Sequence, residues 1–218
     1  MGSDEMSSEL KVFGIGLNKT GTTTLGQCGR ILGFRCLGCD KELLKQVVRD
    51  RDLVQLQDRV RQFGWFEDWP WPLVYKELDH LFPESKFILT VRQSEDVWLD
   101  SLKRHSMRTH PVNHCRKLAY GFDYPHGYER QHVEFYRQHN KSVRDYFKGR
   151  ENDFLEICWE NGDGFEKICH FLGCDIPDTP VPHANRGVDN TVPLKRYMVN
   201  QAHRLSQQYL LKWFFNFQ

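Results

Sequence analysis

Lys19 stands in a run of small and hydroxyl-bearing residues, Asn18-Lys19-Thr20-Gly21-Thr22-Thr23-Thr24, and that mixture suits the holding of phosphate-like oxygens. The lysine supplies a point charge and the threonines supply O–H donors. Gly14, Gly16 and Gly21 allow the tight backbone in which successive N–H groups converge on an anion at the positive end of a helix. The positions around the run supply such a helix. Val12, Phe13 and Ile15 fit a buried strand, while Leu25, Cys28, Ile31 and Leu32 recur at helical spacing up to Gly33. Strand, turn and helix together read as a phosphate cradle; an ordinary strand-to-helix turn is the plainer alternative.

Two further places carry chemistry. In Gly64 to Phe82, three Trp and one Phe surround Glu67 and Asp68, with Pro70 and Pro72 keeping the backbone extended before a helix from about Leu73. Aromatic surroundings disfavour the charged form of an acid, which suits a residue that takes a proton near neutral pH. Asp68, just before the proline turn, is the better placed of the two. Trp65 and Trp69 are candidate contacts for a substrate. The same acids could also simply cap the next helix or sit solvated beside packed tryptophans. The apolar run Lys86 to Val91 is a buried strand that ends in Arg92. Phosphate-loop kinases and ATPases usually carry an Asp at the end of a second strand to hold Mg²⁺, whereas an Arg binds anions directly. Arg92 paired with an acid at the strand end is the structural alternative.

Other chemistry-bearing types are weaker. His105, His110 and His114 cluster without the H-E-x-x-H pattern of a zinc helix, and His105 reads better as a pocket residue than as a ligand. Cys36-Leu37-Gly38-Cys39 is a lone C-x-x-C with no second pair, which favours core-lining thiols over zinc or redox use. Glu156 and Glu160 are read as structural, and no metal is called for.

The elements that must position these residues alternate along the chain. Lys41 to Phe63 reads as two helices without chemistry, Glu95 to His105 and Tyr128 to Gly149 as helices, Asp153 to Cys158 as a strand, Gly162 to Gly173 as a helix, and Leu194 to Phe217 as a helix with an aromatic tail expected to dock on the body. Strand, loop and helix recur, so the fold class is α/β: three layers, α/β/α, with a mostly parallel central sheet and helices on both faces. Ligands bind at the carboxyl ends of strands in such sheets, so one nucleotide could span Lys19 and Arg92. The expected organisation is one domain over residues 1–218, with a flexible tail over 1–9 and a helical substrate-side region over 106–150.

Composition bounds the rest. With 30 Lys+Arg against 29 Asp+Glu the formal charge is +1, which argues against a general nucleic-acid or membrane-surface binder. No apolar run approaches a membrane span, and the polar start lacks the apolar core of a signal peptide. The seven Cys are scattered and odd in number, which favours reduced thiols. The expectation is a soluble cytoplasmic protein acting on a small molecule; a homodimer is left open.

The order of the loop then departs from a Walker A loop, which reads G-x-x-x-x-G-K-[ST]. Here Asn18 precedes Lys19 and glycine follows two residues later. N-K-T-G-T-T resembles the 5′-phosphosulfate loop of sulfotransferases that use 3′-phosphoadenosine 5′-phosphosulfate (PAPS). The run ILTVRQSEDVWLDSL resembles the 3′-phosphate-binding segment of the same family, and DWPWPLVYKELDHLFP followed by KFILTVR looks like one branch of small soluble members. The resemblance implies a P-loop nucleotide-hydrolase-like sulfotransferase fold with PAPS as co-substrate, the bisphosphate PAP as product and no metal. On it, Asn18 to Thr23 hold the 5′ end, Lys19 eases departure of the nucleotide, Asp68 is the base, and Arg92 holds the 3′-phosphate. The family's serine lies eight residues after that arginine, where this chain has Asp100; Ser101, or else Ser94, would supply the hydroxyl. Arg186-Gly187 resembles a reduced form of the late R-K-G loop. A small-molecule kinase and a non-catalytic nucleotide-binding or interaction protein are the alternatives.

Overall fold

The computed structural model describes residues 10–110, 114–182 and 193–215, so the tail 1–9 and Arg186 lie outside it. Its centre is β1 (Val12–Gly14), every residue of which is buried. Complete burial is what an apolar strand with a neighbour on each side and a helix layer on each face requires. β3 (Trp65–Phe66) and β4 (Lys86–Thr90) flank it; β2 (Cys36–Leu37) pairs outside β3 and β5 (Phe154–Ile157) outside β4. The order is β2-β3-β1-β4-β5, and each pairing is parallel, with Phe13 opposite both Phe66 and Phe87.

Parallel neighbours need crossovers, and helices supply them. α1 (Thr22–Ile31) joins β1 to β2. α2 (Lys41–Lys45), which runs on into a π-helical turn, and α3 (Leu53–Arg61) join β2 to β3, and α4 (Tyr75–Leu81) joins β3 to β4. α5 (Glu95–Arg108), α6 (Cys115–Tyr120) and α7 (Glu129–Tyr146) lie between β4 and β5; α8 (Phe165–Leu172) and α9 (Leu194–Phe215) follow. Side chains alternate across the sheet, giving two cores. Phe13, Phe66, Phe87 and Leu89 pack with Leu56, Leu78, Val143 and Phe147 on one face, and Val12, Trp65, Ile88 and Ile157 pack with Leu25, Cys28, Phe165 and Ile168 on the other. A third cluster, including Leu17, Trp69, Trp98, Leu102 and Tyr120, sits around the loop after β1.

Two expectations change. β2 and β3, two residues each, were not separable from their loops by pattern. Trp65 is consequently a core residue and not a substrate contact: it is fully buried, and a Cβ on Gly29 of α1 would stand 2.5 Å from its ring. The side chains of the aromatic tail from Leu211 onward lie outside the description. No helix among the described residues is long and apolar enough to cross a membrane.

Candidate active site

The loop after β1 is pinned to β4 from beneath. Ile15 donates its N–H to the Ile88 carbonyl at 2.8 Å, and Gly16 presses so closely on Thr90 that an added Cβ would meet its Oγ1 at 2.1 Å. Lys19 then turns through φ 72° and Gly21 through φ 93°, two left-handed residues that open α1 toward solvent. Thr20 is the correction in this loop. It is fully buried; its hydroxyl donates to the Leu17 carbonyl at 2.6 Å and lies 2.6 Å from Thr90 Oγ1, which leaves Thr90 as donor to it. With its only proton committed, Thr20 locks the loop and does not face a ligand. Thr22, Thr23 and Thr24 line the cavity. Asn18 lines it too, but its Oδ1 accepts from Tyr120 at 2.6 Å and its carbonyl from the Trp98 indole at 3.0 Å.

The cavity above this loop has a volume of about 210 Å³, and Lys19, Asp68, Arg92, Ser101 and His105 all face it. Four separate stretches of chain thus converge on one place. Asp68 follows β3 in a left-handed conformation (φ 69°), its Oδ1 accepting the N–H of Trp69 at 2.9 Å, just before the cis Trp69–Pro70 bond. Burial pushes its carboxyl up to about 6, held back by the Trp69 N–H and by Lys19. Burial lowers the Lys19 ammonium; Asp68 opposes this, while Arg108, Arg92 and Arg104 add to it. His105 is driven down to about 3, by burial and then by the charge of Lys19, and is neutral. Trp69 does not line the cavity: it is buried edge-on to Tyr120, with ring centroids 5.4 Å apart, and supports the wall from behind.

Arg92 leaves β4 with its N–H on the Tyr136 hydroxyl at 3.0 Å and its Nη1 on the Lys19 carbonyl at 3.2 Å. Nη2 meets Glu160 Oε1 at 2.5 Å, and the other carboxylate oxygen of Glu160 accepts the Gln93 N–H at 2.9 Å. Buried Nε has no partner, so one donor of the fork is unused. Ser94 caps α5 by accepting the Val97 N–H at 3.2 Å, whereas Ser101 faces the cavity, which separates the two serines. The C-x-x-C does not close: Cys39 Sγ lies 3.5 Å from Cys115 Sγ. Among the described residues no group of His, Cys, Asp and Glu is arranged to hold a metal ion.

Glu160, Tyr136 and Thr90 carry no motif of their own, and Glu160 was read as structural without its partner. Trp159, whose indole would stand 2.4 Å from a Cβ on Gly21, likewise escaped notice. Residues 11–189 match a family model described as a sulfotransferase domain. No curated protein matches the chain.

Proposed function

Over residues 11–189 the chain belongs to the sulfotransferase domain family, and from this we propose that it moves a sulfuryl group from PAPS to a hydroxyl or amine of a small-molecule acceptor. The observation that carries the reading is the convergence of Lys19, Asp68, Arg92 and Ser101 on one cavity at the carboxyl ends of adjacent parallel strands. Sulfuryl transfer, like phosphoryl transfer, asks for positioning and for cations where charge develops. Lys19 neutralises the oxygen that bridges sulfur and the departing nucleotide. Thr22, Thr23 and the N–H groups opening α1 hold the 5′-phosphate and sulfuryl oxygens. Arg92, whose side chain lines the cavity, and Ser101 take the 3′-phosphate.

Asp68 accepts the acceptor's proton as the new O–S or N–S bond forms and the S–O bond to the nucleotide breaks. A conjugate acid near 6 makes it a far better base than His105, whose conjugate acid lies near 3. His105 is left as a neutral hydrogen-bonding group for the acceptor. The seven cysteines are all free, in keeping with a cytoplasmic setting.

One observation favours a kinase instead: Asp68 faces Lys19 beyond the end of β3, where a Mg²⁺-holding acid could stand. The hydroxyl that follows the lysine in a Walker loop, which serves the same Mg²⁺, argues the other way. Here that residue is Thr20, whose hydroxyl is spent on Leu17 and Thr90. Thermal shift separates the readings. Stabilisation by 3′,5′-ADP without Mg²⁺, exceeding that by ADP with or without Mg²⁺, is expected. Equal stabilisation by the two nucleotides, or by neither, would overturn the proposal.

A further inference from the structure

The proposed nucleotide contacts leave a second set of cations unexplained. Ser101 and His105 are one turn apart on the inner face of α5. Arg104 and Arg108 stand three and seven residues beyond Ser101, the spacing that keeps a helical stripe together. Neither arginine makes a hydrogen bond or ion pair among the described residues. Arg116 is fully buried and makes no ion pair among the described residues, although the charge of Asp123 favours its protonated form: Nε donates to the Asp123 carbonyl at 2.8 Å, Nη1 to the Thr109 hydroxyl, and Nη2 has no partner among the described residues. His105 and His114, whose rings are 5.5 Å apart, share this corner, and burial together with the charges of Lys19 and Arg116 keeps His105 neutral. Among the described residues the one acid that faces the cavity is Asp68.

The nucleotide does not account for these groups. Its 5′ end belongs to the loop and its 3′-phosphate to Arg92 and Ser101, whereas Arg108 lies about 10 Å farther along α5 by helical rise, past His105. Like charges gathered without counter-ions destabilise a protein unless a ligand supplies the opposite charge. We propose that the acceptor itself carries a carboxylate, which Arg104 and Arg108 hold at the outer end of α5 while its hydroxyl or amine meets Asp68. This rests on the sulfotransferase reading above and names the acceptor class; the two arginines are not among the residues that line the cavity, and would meet the acceptor outside it.

The test uses the full chain saturated with 3′,5′-ADP and titrated with phenyl sulfate or with 4-carboxyphenyl sulfate, a pair that differs only in the carboxylate. Calorimetry should show the carboxylated ester binding at least about tenfold tighter, the scale of one charge-assisted contact. The Arg104→Gln/Arg108→Gln variant should lose that preference and keep its affinity for 3′,5′-ADP. Equal affinities for the two esters, or binding of neither, would overturn the proposal. A variant that instead loses 3′,5′-ADP would assign the arginines to the nucleotide and overturn it as well. Failure of the unaltered chain to bind 3′,5′-ADP would count against the sulfotransferase reading, and so is distinguishable. Both arginines are partly or wholly exposed and unpaired, so the variant is expected to fold.

Discussion

Arg92 donates from Nη1 to the carbonyl oxygen of Lys19, 3.2 Å away, so the arginine that ends β4 also braces the left-handed residue at the heart of the loop. Charge alone cannot do both tasks. A lysine at position 92 would keep the charge but lose the planar fork. Arg92→Lys is therefore expected to weaken 3′,5′-ADP binding by about tenfold or more in calorimetry. Unchanged affinity would reduce Arg92 to a general positive field.

Asp68 sets a pH dependence. Burial raises its carboxyl to about 6, so below that pH it holds a proton and cannot take another. The value of kcat/KM should fall on the acid side with a midpoint near 6. Asp68→Asn should lower the rate by about 10²- to 10⁴-fold and abolish that limb. A fully active Asn variant would remove Asp68 as the base.

Glu67, the neighbouring acid, makes a stability prediction. It is buried and does not line the cavity; a Cβ on Gly26 would stand 2.5 Å from its Oε1, and burial followed by Asp68 raises it from 4.5 to about 7. The unfolded carboxyl ionises near 4.5 while the folded one keeps its proton to about 7, so stability falls as pH rises between these values. Glu67→Gln should stabilise the fold at pH 8 by on the order of 1–3 kcal/mol, read as a higher Tm, and change little near pH 4.5. Equal effects at both pH values would contradict a buried ionisation.

Glu160 competes with any phosphate for Arg92. Its carboxylate already holds Nη2 of Arg92 and the Gln93 N–H, and a dianion brought to the same guanidinium would meet its negative charge. Both partners are about a quarter exposed, at 23% and 27%, so the pair itself contributes under about 1 kcal/mol. Glu160→Gln is expected to tighten 3′,5′-ADP binding by about three- to tenfold with little change in Tm. Weaker binding would recast Glu160 as a support that aims Arg92.

Two glycines should respond differently to alanine. At Gly16 the added carbon would meet Thr90 Oγ1 at 2.1 Å and the Thr90 carbonyl oxygen at 2.4 Å, and backbone cannot step aside. Gly33 has φ 86° but nothing within 4 Å. Gly33→Ala should cost about 1 kcal/mol in denaturant unfolding, from its left-handed conformation alone, and Gly16→Ala at least twice that. Similar costs at both positions would refute the close approach of loop and β4.

Apolar runs made β1 and β4 legible, because burial on both faces removes polar residues from a strand, and β5, a half-buried edge strand, was legible from Phe154, Leu155 and Ile157 around Glu156. The same logic fails for β2 and β3, where two residues carry no period. Trp65 therefore reads as a substrate contact from sequence, whereas its neighbours across space, Gly29 and Leu25, hide it. In the loop, composition announced a phosphate-type site but could not say which threonine faces outward. That is decided by the turn at Lys19, which sends Thr20 toward β4. Ser94 was open to a sharper reading, since a serine followed by Glu95 and Asp96 is a helix-start pattern; capping spends its hydroxyl and leaves Ser101 for the cavity. Glu160 needed the fold, because 68 residues separate it from Arg92.

The hydrogen-bonded pairing of β1 with β4 has a metric consequence. The loop leaves the first strand and the arginine leaves the second, so the gap between the two anion positions proposed for them is gauged by an interstrand distance of about 4.8 Å plus side-chain reach. Loops can lengthen or exchange residues while that gauge stays fixed. A molecule is thus measured by the sheet, the part of the protein least able to drift, before any side chain inspects its chemistry.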